Sequence, residues 1–156
     1  MIIIGIDPGL ATTGYGVIKK TTSKNNLKPV VIDFGCIITP PLMPIEKRLQ
    51  IIHGQVGDLI KKHKPGLVSI ESLYFFKNLK TAVPVSQARG VILLSASQKN
   101  VPVVEFTPLQ VKMAVVGYGR AEKRQVQEMA KKHLDFGNLN LKEKSRKKDD
   151  ATDALG

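Results

Sequence analysis

The first eighteen residues, MIIIGIDPGLATTGYGVI, constrain the fold more than any other stretch. The apolar run Ile2-Ile3-Ile4-Gly5-Ile6 ends on a carboxylate, Asp7, followed by a turn containing Pro8 and Gly9. Gly14-Tyr15-Gly16-Val17-Ile18 then resumes an apolar pattern. β-Branched residues bounded by turn formers predict a buried strand, a turn and a second strand. Asp7 falls at the C-terminal tip of a central strand. An unpaired buried carboxylate is costly, so Asp7 needs a role. Either it caps the turn by accepting from the N–H of Gly9 or Leu10, or it holds a metal ion or a metal bound to phosphate.

Residues 29–38 predict a third strand after a polar turn, and three strands with short links imply an antiparallel meander. Pro40, Pro41 and Pro44 break the pattern. From Ile45 the period becomes helical, with Leu49, Ile52, Val56, Leu59 and Ile60 on one face and lysines between them. His53 reads as a packed or exposed helical residue rather than a ligand. Pro65-Gly66 stops the helix, and residues 67–71 form a short strand that also ends on a carboxylate, Glu71. A helix between two strands implies a crossover and a parallel neighbour. Glu71 and Asp7 would then emerge at one sheet edge, the edge where open α/β sheets bind ligands. Two carboxylates there repel unless a cation or a proton lies between them.

Farther on, residues 83–99 predict an apolar, buried helix and 101–106 a fifth strand, with Pro102 favouring an edge. Thr107-Pro108 reads as an N-cap followed by proline at the first helical position. Helices over 109–116 and 121–134 follow, separated by Gly117-Tyr118-Gly119-Arg120. The chain thus reads as α/β, with a five-stranded mixed sheet whose first three strands are antiparallel, and helices on both faces.

Bulk properties narrow the function. The 156 residues, 42% of them hydrophobic, suit one domain with a packed core. Twenty-four Lys and Arg against 13 Asp and Glu give a net charge of +11. Such a balance favours a polyanionic partner, nucleic acid before an acidic membrane surface. The longest apolar run is far below the roughly 18 residues of a membrane span. With no signal peptide visible, a cytoplasmic location is the default. Cys36 is the only cysteine, which excludes a disulfide framework and a thiolate metal site. It is expected to be a small buried residue of a strand.

Three further clusters carry candidate chemistry. Tyr74, Phe75, Phe76 and Lys77 follow Glu71 and form either a loop folded on the core or a platform for an unpaired base. Lys112, Arg120, Lys123, Arg124, Lys131 and Lys132 form either a solvated basic face or phosphate contacts. Asp149, Asp150 and Asp153 share a helical face. A helix N-terminus explains Asp149 and part of Asp150 but explains Asp153 poorly. The chain stops just after Leu155, so this last helix is expected to be truncated.

These residues resemble the RuvC-type Holliday-junction resolvases, a branch of the ribonuclease-H-like nuclease superfamily. The matching stretches are Gly5-Ile6-Asp7-Pro8-Gly9, Thr13-Gly14-Tyr15-Gly16, Ile70-Glu71 with Tyr74-Phe75 and Lys77-Asn78, and Gln87-Ala88-Arg89-Gly90. They continue with Gln110-Val111-Lys112, Val115-Val116-Gly117, Ala121-Glu122-Lys123, Gln125-Val126 and Asp150-Ala151-Thr152-Asp153-Ala154-Leu155. The resemblance covers nearly the whole chain and implies a single ribonuclease-H-like nuclease domain over residues 1–156. It implies a metal-binding set of Asp7, Glu71, Asp150 and Asp153, with Lys112 and Lys123 beside the scissile strand. The resemblance places the family's junction-probing aromatic on Tyr74, where phenylalanine is commoner in the family. Phe75, Lys77, Arg89 and Arg120 are further expected DNA contacts.

The implied reaction is metal-dependent hydrolysis of a DNA phosphodiester. It would use two Mg²⁺ ions per site, with Mn²⁺ as the alternative, and leave a 5′-phosphate and a 3′-hydroxyl. The implied partners are a four-way junction, a second copy of the chain in a homodimer and a branch-migration motor, with no membrane. Three rivals stand beside this reading. An actin-like ATPase needs a second lobe that the chain lacks. A non-catalytic junction-binding module and a broader branched or flap-DNA nuclease share the same fold.

Overall fold

A computed structural model of the chain describes residues 1–20, 28–72 and 79–137. Strands β1 (Ile2–Asp7), β2 (Thr12–Lys19) and β3 (Val30–Ile38) form the expected meander. Helix α1 (Ile45–His63) crosses over to β4 (Leu67–Glu71), and α2 (Leu79–Gln98) leads to β5 (Val103–Phe106). Helices α3 (Pro108–Val116) and α4 (Lys123–His133) follow. The sheet order is β3-β2-β1-β4-β5, with β1, β4 and β5 parallel.

Side chains alternate between the two faces of a strand, and this alternation divides the molecule. Ile4 and Ile6 of β1, Val17 of β2, Ile37 of β3 and Val68 and Ile70 of β4 turn to one face. There they meet Ile52, Val56 and Ile60 of α1 and Ala88, Ile92 and Ala96 of α2, forming one buried cluster. The spacings 52, 56, 60 and 88, 92, 96 each place one residue per helical turn on the sheet side. The alanines of α2 let that helix approach closely. Gly5, Asp7, Ser69 and Glu71 fall on the opposite face.

Three differences from the sequence reading have physical causes. Cys36 is exposed rather than buried. It pairs with Gly14 on the face that α1 and α2 leave open, and β3 is an edge strand. Helix α2 begins at Leu79, with Pro84 inside it. A proline in the second turn removes a backbone bond and crowds the preceding turn, yet the helix runs through Pro84 from Leu79. Nor is α2 wholly buried, since Val83 and Leu94 are 61% and 50% exposed. Among the described residues, no helix is long and apolar enough to cross a membrane.

Candidate active site

Asp7 and Glu71 end adjacent parallel strands. The register aligns Ile6 with Ile70, so the two acids come next in line on the open face, one strand spacing of about 4.8 Å apart. They border a hollow of ≈ 400 Å³ also lined by Gly5, Gly14, Gly16, Ser69, Phe106 and Val111. The three glycines leave part of its floor as bare backbone.

The turn after Asp7 is held from two sides. The Thr13 hydroxyl, fully buried, donates to the Gly9 carbonyl at 2.6 Å. The Gly9 N–H in turn points at Thr13 Oγ1 at 3.4 Å. Behind the turn, the buried Thr39 hydroxyl donates to the Leu10 carbonyl at 2.5 Å and accepts from Arg48 Nε at 2.8 Å. Glycine is required at position 9, because a Cβ there would lie 2.2 Å from the Thr12 carbonyl oxygen. The capping reading of Asp7 therefore loses one of its two donors: Thr13 takes the Gly9 N–H.

Electrostatics mark both acids. Asp7 remains open to solvent at the rim, yet desolvation by the surrounding protein raises its pKa above the ordinary carboxylate value, and the Lys123 charge opposes that shift. Glu71 is half-buried; desolvation and then the charge of Asp7 raise its pKa, and Lys112 opposes them. Each carboxylate is thus disfavoured as an anion and has its own lysine nearby. Lys112 lies on α3, whose start is fixed by a reciprocal capping box between Thr107 and Gln110. Lys123 opens α4, at whose start the Glu122 N–H donates to Gln125 Oε1 at 2.8 Å. Thr107 follows directly on Phe106, the register partner of Glu71, so the cap ties Lys112 to the strand beside the site.

Arg120 is exposed in the turn before α4. Arg89 is not brought to the hollow. Its guanidinium pairs with Glu105, which aligns with the buried Ile70 on the helix-bearing face. Tyr74, Phe75, Lys77, Asp149, Asp150 and Asp153 lie outside the described residues. Among the described residues, no third His, Cys, Asp or Glu joins Asp7 and Glu71 in a metal-holding group. The sequence reading missed Phe106 and Val111 as walls of the hollow. The fifth strand, read as parallel to the fourth, would have placed Phe106 beside Glu71.

A mixed sheet in this order, with acids on neighbouring central strand tips and a lysine from each of α3 and α4 beside them, defines a ribonuclease-H-like nuclease. Comparison with known proteins narrows the class. Residues 3–156 match the family model for crossover junction endodeoxyribonuclease RuvC. The protein of that name from Halothermothrix orenii is 50% identical over 155 residues, which span 99% of this chain and 88% of the relative. The one from Fusobacterium nucleatum is 43% identical, over 99% of this chain and 76% of the relative. The solved structure of Thermus thermophilus RuvC in complex with Holliday junction substrate superposes with a TM-score of 0.79 at 33% identity, covering 86% of this chain and 79% of that one. The chain belongs to the RuvC family of crossover junction endodeoxyribonucleases.

Proposed function

We propose that this chain resolves four-way DNA junctions at the hollow bordered by Asp7 and Glu71. It is a crossover junction endodeoxyribonuclease, a hydrolase of DNA phosphodiesters that acts in recombination and repair by paired symmetric nicks. The observation that carries the site assignment is the pairing of two disfavoured carboxylates on adjacent strand tips, each facing its own lysine.

That donor set fits a hard divalent cation. Two neighbouring carboxylates, both raised in pKa by desolvation and Glu71 also by the charge of Asp7, are relieved by a shared positive charge, and oxygen ligands select Mg²⁺ or Mn²⁺ over softer ions. Asp150 and Asp153 complete the set, and four carboxylates suffice for two ions. Bound there, such ions supply an activated water and neutralise the leaving oxygen. Asp7, at the tip of β1 with the Lys123 charge nearby, would be among the residues that hold the metal. Lys112 and Lys123 hold the non-bridging phosphate oxygens and balance the charge that develops on them. Arg120 extends this contact along the strand, and Tyr74, Phe75 and Lys77 engage the opened bases at the junction centre. The products are a 5′-phosphate and a 3′-hydroxyl.

Two matched nicks in a two-fold symmetric junction call for a two-fold dimer. Helix α2 offers the surface: Val83, Gln87, Gly90 and Leu94 form an exposed stripe on one side of it. A Cβ added at Gly90 would meet nothing within 4 Å, so a second helix has room to cross there. The protein acts in the cytoplasm and takes a branch-migration motor as a further partner.

The Asp7→Asn variant tests the site. It keeps the shape of the side chain and removes the anion. Nicking of a four-way junction should fall at least 1000-fold while junction binding holds or tightens. Wild-type nicking by Asp7→Asn would remove Asp7 from the reaction.

A further inference from the structure

The end of the sheet opposite Asp7 is strongly basic. Strand β2 finishes there on Lys19 and Lys20, both exposed. Lys20 exchanges backbone hydrogen bonds with Met1, whose ammonium adds another charge. Helix α1 ends there with Lys61, Lys62 and Lys64, because the Gly66 N–H bonds the Ile2 carbonyl next to Met1. Helix α4 ends there too: Asp135, just after it, bonds Val31 and Pro29 through the backbone, and neighbouring Val30 aligns with Lys19. Lys131 and Lys132 are exposed in the last turn of α4. Backbone bonds therefore join four chain segments into one basic strip across β4, β1, β2 and β3, about 14 Å wide at about 4.8 Å per strand.

Nearby acids offset only part of it. Asp33 is nearly buried and already engaged by Lys62 at 3.0 Å and His63 at 3.3 Å. Asp135 accepts the Gly137 N–H. Asp58 is exposed one turn before Lys61 and Lys62 and offsets a single charge. Basic residues in a last helical turn complement the helix dipole, which accounts for Lys61, Lys62, Lys131 and Lys132. It does not account for Lys19 and Lys20 on a strand. Nor does it account for Lys64, which adopts φ 47, a left-handed conformation that favours glycine or asparagine. The fold carries a backbone cost while keeping a lysine there.

We propose that this basic end is a second DNA-backbone contact, which grips a duplex arm of the junction away from the cut. The inference rests on the junction-cutting activity proposed above. The six residues of β1 separate the strip from Asp7 by about 20 Å. That distance corresponds to about six base pairs of duplex at 3.4 Å each. The strip's width is close to that of the B-DNA major groove, about 12 Å, so phosphates on both sides of one groove are within its span.

Arm length supplies the test. One four-way junction carries arms of about 20 base pairs; the other has arms of about 3, closed by hairpin loops and too short at about 3.4 Å per base pair to span the distance from the cut to the strip. The variant replaces Lys20, Lys61, Lys64, Lys131 and Lys132 by Gln, and the pairs K61Q/K64Q and K131Q/K132Q are prepared separately in case the fivefold variant folds poorly. Affinity of the fivefold variant for the long-armed junction should drop at least tenfold near 0.1 M salt. Its log–log salt slope should shrink by about 4.5, at about 0.9 for each phosphate that a lysine no longer neutralises, and each pair should give about two-fifths of that change. The short-armed junction should be bound within twofold of the parent and nicked at the parent's rate. Nicking of the short-armed junction by the parent checks the underlying activity on its own. Unchanged affinity and slope on long arms, or equal losses on both junctions, would overturn the second contact.

Discussion

Thr13 ties down the turn that follows Asp7. Its hydroxyl both receives the Gly9 N–H and donates to the Gly9 carbonyl, inside a turn with no room for any residue but glycine at position 9. Thr13→Val keeps the shape and deletes both bonds. The expected cost is about 1–3 kcal/mol in a denaturant melt, with a larger loss of nicking than of junction binding. Equal nicking by the variant and the parent would mean that the turn does not position Asp7. The acids themselves were legible in the sequence, because each terminates an apolar run. Phe106, Arg89 and Cys36 were not legible, because the face each takes depends on strand register and edge position.

The raised pKa values of Asp7 and Glu71 also set a pH dependence. Desolvation is the main cause for both. A carboxyl that holds its proton more tightly when folded favours the fold at low pH. That contribution is lost as pH rises from the ordinary carboxylate value through the raised one. In chelator, the melting temperature should therefore gain from Asp7→Asn, and the gain should grow as pH rises through that window. A gain that does not change with pH would contradict the assigned direction. Divalent cation should erase the difference by stabilising the parent alone, by about 2.7 kcal/mol at 100 times the dissociation constant.

At the scale of elements, the five strands were readable because β-branched runs are bounded by Pro, Gly and polar turns. The bounds of β4 match the sequence reading, and α3 starts at the cap that Thr107-Pro108 announces. The start of α2 was not readable, because Pro84 resembles a helix beginning. Seating of α1 and α2 on the sheet depends on single buried isoleucines. Ile52 and Ile92 are fully buried between the helices and the sheet. Truncation of either to Ala should cost about 2–5 kcal/mol and lower the melting temperature by about 10 °C. A change below 1 kcal/mol would mean that the core is not where the fold puts it.

Among the described residues, the molecule combines the proposed catalytic edge, a basic end and an exposed stripe on α2. Leu94→Arg places a charge in the α2 stripe, half of whose leucine surface is exposed in the single chain. Sedimentation should then show a monomer at micromolar concentration, and junction nicks should become single and unpaired. A variant that remains dimeric would move the interface elsewhere. The net charge of +11 pointed to a nucleic acid from composition alone. It could not place the charge, because the strip opposite Asp7 is assembled from four segments far apart in the chain.

The most direct measurement is product mapping on an end-labelled mobile four-way junction, a flap and a linear duplex, each with Mg²⁺ and with chelator. The account expects paired symmetric nicks carrying 5′-phosphates in the junction alone, and no products in chelator. Equal cutting of flap and junction would make the protein a broader branched-DNA nuclease. Cutting of the linear duplex, or cutting that persists in chelator, would contradict a metal-dependent junction-resolving site at Asp7 and Glu71.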